Sequence, residues 1–465
     1  MPSGYRLLQN QITRLRTKTV DEILTLWGPW THLTEILGTP KRIRLFPPSQ
    51  TFWLFLSQVL EADHSCRTVV RKFLLWLTLK TGKNASPNTA SFCKARARLP
   101  QKGLESIHRR LTNEIEAQTT DDLLWRQRRV KIVDGTGLSM PDTRANQKIY
   151  PQSKRQKPGC GFPVMKLVAA FSLATGTIIG FVKGTLHDAE RILFKNLWGL
   201  FEPGDVVLAD SAFCSYADFY FLSQRRVDCV MANHHRRTKG LEFVKSLGKE
   251  DRLLYWIKMK PCPTWLEKRQ WEKVPEKLLI REVSFSVTVR GFKTKRITLA
   301  TTLLDQRQYP KEDLAQLYRR RWIAELYLRD IKITMGMDIL RCKTPDMVHK
   351  ELIMYIIAYN LMRALLLQSC IIMQVQLDRL SFKGALAILR QVNPSMLLLI
   401  RTRKIEKSLH KAVLFIIAKD IVPDRPNRQE PRARKRRPKN YQLLNKPRSQ
   451  FREIPHRNKY SKPLN

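Results

Sequence analysis

An α/β fold built on a mixed sheet is what this chain of 465 residues predicts. Three observations carry the prediction. Apolar residues recur at helical spacing before residue 125 and again after 310. Between 126 and 232, short β-branched runs alternate with helical stretches, and from 233 to 309 the runs are β-like throughout. With 43% apolar residues the chain has enough material for a large core.

Residues 1–125 read as a basic helical domain. "RTVVRKFLLWLTLK" is a helix, "TGKNASPN" a turn, and "TASFCKARARL" a second helix begun by a Thr or Asn cap and stopped at Pro100. Lys94, Arg96 and Arg98 ride on that second helix, as on the recognition helix of a helix-turn-helix; a helical hairpin with a solvated basic face reads equally well.

Residues 126–232 follow as a sheet segment. "RRVKIVDGTGLSM" is a short β run ending in Asp134, and "KLVAAFSLATGTIIGFVKG" is a pair of strands turned at Thr175-Gly176. "DAERILFKNLWGL" is a helix, "GDVVLADSAF" a strand ending at Asp210, "SYADFYFLSQRR" a helix and "VDCVMAN" a strand. Three strands, helix, strand, helix, strand is the order of a ribonuclease-H-like fold. "RLLYWIKMK", "KLLIREVSFSVTV" and "KRITLATTLL" fit that sheet poorly and read as a separate β-rich insertion over 233–309. Helices resume at Pro310 and continue to about 420, and 421–465 reads as a basic disordered tail: from 422 onward 14 Lys and Arg face three acids. Its "RARKRR" has the composition of a nuclear-localisation signal, a pattern of little specificity.

Charge narrows the function. Against 40 acids stand 84 Lys and Arg, a net +44, an excess that calls for a polyanionic partner, nucleic acid before an anionic membrane. The longest apolar run, Leu352 to Val375, is interrupted by Asn360, Arg363 and Gln368 and reads as a buried core helix rather than a membrane span. Eight cysteines show no CxxC pair and no zinc spacing, and the N-terminus lacks a signal-peptide apolar region, so the expectation is a cytoplasmic protein with reduced thiols.

"YRRRWIAELYLRDIK" places one acid among cations. On a helical wheel Arg321, Glu325, Arg329 and Lys332 share the face of Tyr318, while Leu317, Ala324, Tyr327, Leu328 and Ile331 seat the helix on the core. Alone, this is an Arg321–Glu325 surface pair worth a few tenths of a kcal/mol. Together with the strand-end Asp134 and Asp210 it supplies a carboxylate-only set, the oxygen donors that Mg²⁺ or Mn²⁺ prefers. Two such ions suit in-line phosphoryl displacement, with Arg321, Arg329 and Lys332 left to grip phosphates.

These blocks, "VDGTGLSMPDT", "GDVVLADSAFCSY" and "YRRRWIAELYLRDIK", resemble the IS4-family DDE transposases of bacterial cut-and-paste insertion sequences. The third matches the family signature Y-x2-R-x3-E-x6-K at Tyr318, Arg321, Glu325 and Lys332. The resemblance implies a helical DNA-binding head, a ribonuclease-H-like catalytic core and a β-rich insertion between the second Asp and the Glu, here 115 residues apart. It implies that Asp134, Asp210 and Glu325 are catalytic ligands of two Mg²⁺ ions and that Tyr318, Arg321, Arg329 and Lys332 contact DNA. It also implies double-stranded DNA as partner, both element ends and target, a homodimer in the synaptic complex, and a nucleoid-associated place in a bacterium.

In several relatives an insertion tryptophan holds a flipped base; Trp256, Trp265 and Trp271 lie in that region, each better explained by core packing, and Trp322 follows Arg321. A non-catalytic DNA-binding regulator and a structure-specific ribonuclease-H-like nuclease remain the alternatives. Outside the resemblance, the Tyr150–Lys166 loop carries Lys154, Arg155, Lys157 and Lys166 with two glycines and has the length to follow a phosphate backbone. His187, Asp188 and Glu190 have the residue types of a metal site, but Asp188 reads better as a helix N-cap, while Asp142 and Asp205 read as turn formers and Asp330 points away from Glu325.

Overall fold

The computed structural model describes residues 33–39, 44–82, 84–233, 239–287, 295–391, 403–423 and 443–451. The first 32 residues and the "RARKRR" run lie outside them.

Five helices open the described chain: α1 (Leu33–Leu37), α2 (Pro48–Leu60), α3 (Cys66–Thr81), α4 (Ala90–Arg98) and α5 (Gln101–Glu116). The Ser65 hydroxyl accepts from the Arg67 and Thr68 N–H groups to start α3, and Gly82 ends it at φ 68°, a left-handed angle cheap only for glycine. At α4 the cap comes from Asn88, whose Oδ1 accepts from Ala90 N at 2.8 Å; Thr89 makes no side-chain cap.

The expected row of three exposed cations on α4 needs correction. Arg96 is buried, donating to Gln58 Oε1 at 3.0 Å with its guanidinium 4.8 Å from the Phe55 ring centre. Phe92, Ala95 and Leu99 pull that face inward, leaving Lys94 and Arg98 exposed.

One nine-stranded sheet forms the centre, in the order β3-β2-β1-β4-β5-β9-β8-β7-β6. Its strands are β1 (Val130–Ser139), β2 (Val164–Ser172), β3 (Ile178–Thr185), β4 (Val206–Ala209), β5 (Asp228–Ala232), β6 (Leu241–Gly248), β7 (Asp251–Ile257), β8 (Lys277–Val287) and β9 (Lys295–Thr301). β1 runs antiparallel to β2 and β2 to β3, whereas β1, β4 and β5 are parallel.

The stretch expected to stand apart as an insertion instead continues this sheet. β9 pairs antiparallel with β5, Val230 opposite Thr301, and β8, β7 and β6 add outward from it. The exposed edge of β5 would otherwise leave a row of unpaired backbone groups, which β9 satisfies. β6 escaped sequence reading because nearly all its side chains face solvent, so it has no apolar alternation to read. At the join Arg281, fully buried, forks onto both oxygens of Asp251 at 2.8 and 2.6 Å and donates to Tyr309 O at 2.7 Å.

The remaining helices are α6 (Arg144–Ile149), α7 (Glu190–Lys195), α8 (Tyr216–Gln224), α9 (Lys268–Glu272), α10 (Lys311–Arg320), α11 (Ile323–Arg329), α12 (Pro345–Met373), α13 (Phe382–Gln391) and α14 (Arg403–Lys419). By length and composition α12 passes as a membrane span, yet it is the core helix of the molecule, buried on nearly all sides by α2, α5, α13 and α14.

Its polar interruptions hold the β2–β3 hairpin. Asn360 Oδ1 accepts from Ile178 N at 2.9 Å while its Nδ2 donates to Ile178 O and Thr112 Oγ1, both at 3.0 Å. Arg363 Nε donates to Thr175 O at 2.8 Å, and the Tyr359 hydroxyl donates to Gly176 O at 2.9 Å. Gly176 has φ 73°, and a side chain there would strike the Arg363 guanidinium. Glu116, at the end of α5, accepts from Lys131 Nζ at 2.9 Å and from Thr175 Oγ1 at 2.6 Å, tying the helical head to the same hairpin.

Part of the segment expected as a disordered tail is placed: Ile421 bridges to Leu380, and Pro447 lies against Gly159. All eight cysteines are unbridged.

Candidate active site

Strand register brings the two aspartates together. The parallel ladder between β1 and β4 ends at Val133 opposite Ala209, so Asp134 and Asp210 are each one residue beyond the last matched pair. Neighbouring strands lie about 4.8 Å apart, and the two acids therefore start side by side at the carboxyl end of the parallel ladder. β1 does not stop at Asp134, as the sequence reading expected; it continues to Ser139 because β2 pairs with it along its whole length. Asp134 Oδ1 accepts from Gly135 N at 2.8 Å, and Asp210 Oδ1 accepts from Ala212 N at 2.8 Å.

Glu325 comes from the helical side, on α11. The signature segment is not the single regular helix assumed for the wheel. α10 ends at Arg320, Arg321 and Trp322 form a tighter step with three-residue hydrogen bonds such as Glu325 N to Trp322 O at 3.2 Å, and a π-helical turn spans Asp330–Thr334. Such departures from α geometry re-aim side chains, and they gather at functional sites. The inner face behaves as expected: Leu317, Ala324, Tyr327, Leu328 and Ile331 are all buried.

Of the other signature residues, Arg321 Nη2 reaches Glu325 Oε1 at 3.4 Å, and its guanidinium stands 5.8 Å from the centre of the Tyr318 ring. Its Nε is buried and has no hydrogen-bond partner among the described residues. Tyr318 itself is only 9% exposed, so it seats Arg321 from beneath rather than presenting an open surface. Lys332 Nζ donates to Thr136 Oγ1 at 2.7 Å; Thr136 stands on the same face of β1 as Asp134. Burial lowers the Lys332 pKa, with Asp338 opposing. Arg329 is largely exposed, 3.8 Å from Asp330.

Electrostatics join the three acids. Burial pushes Asp134 up to about 6, Asp210 and Glu325 add to the rise by like-charge repulsion, and the Gly135 N–H and Arg321 oppose it. An all-carboxylate set under mutual repulsion is the donor chemistry of hard divalent ions. Among the described residues no three acidic, His or Cys side chains close on one point.

Asp188 is not an N-cap: its Oδ2 accepts from Thr185 N and Thr185 Oγ1 at 2.6 and 3.0 Å, turning back toward β3, while Ala189 occupies the cap of α7. Asp142 accepts from Gln147 at 2.8 Å and Asp205 from Glu202 N at 3.0 Å. Asp330 is near-buried, and burial pushes its pKa up to about 6 against Arg329 and Arg363. Trp256 is fully buried against Phe219, Trp271 is buried edge-on to Tyr216, and Trp265 meets Trp198 with Arg191 and Lys195 near its ring. Trp322, by contrast, is 54% exposed beside Arg321. Sequence reading passed over Thr136; its position two residues after Asp134, on the same face of a strand, was the available signal.

A family model described as "Transposase DDE domain" matches residues 125–361. The "Transposase InsG for insertion sequence element IS4" of Escherichia coli (strain K12) is 25% identical over 372 residues, 78% of this chain and 78% of that protein. Among solved structures, the cryo-EM structure of the piggyBac transposase synaptic complex with hairpin DNA is similar at a TM-score of 0.37 and 10% identity, over 89% of this chain and 81% of that one.

Proposed function

The chain belongs to the DDE transposases of the IS4 family, and on that premise we propose that it cuts the ends of its insertion sequence and joins the freed 3′-hydroxyl to target DNA. The observation that carries this reading is that Asp134 and Asp210 start side by side at the end of the parallel ladder, with Glu325 of α11 near enough for its charge to bear on Asp134. The sheet order β3-β2-β1-β4-β5, antiparallel over its first three strands and parallel over its last, supports a ribonuclease-H-like catalytic core, with 233–309 as an insertion that extends it.

In this reading the three carboxylates hold two Mg²⁺ or Mn²⁺ ions, which when bound supply activation of the attacking oxygen and stabilisation of the leaving one. The protein's part is positional. Arg321, with a buried unpaired Nε, takes an oxygen of the scissile phosphate; Lys332, fixed by Thr136, takes a neighbouring one; Arg329 meets the backbone farther out. Residues 1–125 serve as the DNA-binding head and 421–465 as a basic arm, both on double-stranded DNA, and two copies pair so that both element ends are held.

The test compares wild type with Glu325→Gln on a labelled element-end duplex in Mg²⁺ or Mn²⁺. Metal-dependent 3′-end cleavage and strand transfer, abolished in the variant while end binding persists, are expected. Binding without cleavage in both proteins would point to a regulator, cleavage without strand transfer to a nuclease, and cleavage indifferent to the substitution would remove Glu325 from the site.

A further inference from the structure

The loop that follows β1 is held in shape by side chains devoted to it. Gln152 Oε1 accepts from Gly159 N and Gly161 N, both at 3.1 Å, and its Nε2 donates to Gln156 O at 3.2 Å and Lys157 O at 2.8 Å. Gln147 adds bonds to Gln152 N at 3.0 Å and Gly161 O at 3.0 Å. The base of the loop is stapled beside the signature segment: Thr143 Oγ1 donates to Lys343 O at 2.8 Å, Ser139 N to Asp338 O at 3.0 Å, and Leu340 N to Ser139 O at 2.9 Å.

On this braced frame stand Lys148, Lys154, Arg155 and Lys157, all exposed, and among the described residues none has a carboxylate within ion-pair distance. Phe162, 63% exposed, projects from the same loop. Gly159, at φ 75°, lies against Pro447, so the C-terminal segment with exposed Lys446 arrives at the same place. Crowding like charges on a compact loop is unfavourable, and here the glutamine bonds hold it against that repulsion. Exposed cations around an apolar side chain match the outside of a nucleic acid duplex, phosphates with a groove between them.

Resting on the transposase reading, we propose that the Tyr150–Pro163 loop is a clamp for duplex DNA that grips the backbone without reading its sequence. β1 carries five further residues from Asp134 to Ser139. Ser139 pairs with Val164, so at about 3.3 Å per residue the loop's end at Pro163 lies roughly 17 Å from the acid, about five phosphate spacings along one strand. A duplex held at the three carboxylates therefore reaches the loop within half a helical turn.

Full-length wild type and the triple variant Lys154→Ala, Arg155→Ala, Lys157→Ala are titrated with an element-end duplex and a scrambled duplex of equal length across a salt series. The three substituted side chains are exposed, and unchanged near-UV circular dichroism confirms the fold. The slope of log K against log salt is expected to flatten by about 2.7 on both duplexes, 0.9 per lost phosphate contact. Phe162→Ala should weaken binding with the slope unchanged. An unchanged slope in the triple variant overturns the clamp; a loss confined to the element end overturns its sequence independence. Wild type that binds neither duplex would overturn the transposase reading along with it.

Discussion

Removing the charge of Asp134 should make the protein more stable while disabling its chemistry. The carboxyl is raised from 3.8 to about 6 by burial and by its acidic neighbours, so above that pH the folded state carries an ionised group it disfavours. For an acid shifted upward, the folded state binds the extra proton: the penalty is absent below about 3.8, grows between about 4 and 6, and stays constant above. A shift of about two units at 1.36 kcal/mol each sets the penalty at no more than roughly 3 kcal/mol. With an unfolding entropy of about 2.1 cal/mol/K per residue, some 1 kcal/mol/K for a chain of this size, that is about 3 °C in melting temperature. Asp134→Asn keeps the shape and discards the charge. Melted in EDTA at pH 8, the variant should exceed wild type by up to that amount; at pH 3.5 the two should coincide; and millimolar Mg²⁺ should narrow the gap by stabilising wild type alone. A variant no more stable than wild type at pH 8, or an advantage that persists in acid, would refute the electrostatic account of the site.

Two further outcomes follow from single hydrogen bonds. Thr136→Val removes the acceptor that fixes Lys332 at 2.7 Å, and end cleavage should fall roughly tenfold, about 1.5 kcal/mol for a bond to a charged group, with end binding intact and Thr136→Ser restoring the rate; full activity in the valine variant would show that Lys332 needs no such support. Asn360→Leu strips the buried Ile178 N–H of its partner at 2.9 Å and should cost about 2–3 kcal/mol, read as a lowered urea midpoint; an unchanged midpoint would mean that the hairpin is held without Asn360.

The candidate site stood out in the sequence because its residues are picked out by chemistry rather than by packing. The aspartates follow apolar runs, the glutamate stands alone among cations, and Thr175-Gly176 marks a turn that only a left-handed glycine makes easily. Periodicity failed where partners far along the chain decide. Arg96 looks like its exposed neighbours Lys94 and Arg98, and it is Gln58 and Phe55, from another helix, that help draw it inward. Asn360 and Arg363 looked like flaws in an apolar run until the hairpin they hold was in place.

The sequence alone determined which groups are candidates to act, three acids and their attendant cations, together with a net charge of +44 and most of the order of strands and helices. Those follow from side-chain chemistry and local spacing, which need no neighbour to define them. Tertiary structure decided where the groups meet: that Asp134 and Asp210 lie level across a parallel ladder, that the insertion completes the edge of β5, and that a three-residue step and a π turn aim Glu325 and Lys332 from one segment. Ladder register and buried hydrogen bonds join residues tens to hundreds of positions apart, and no local pattern in the chain encodes that pairing.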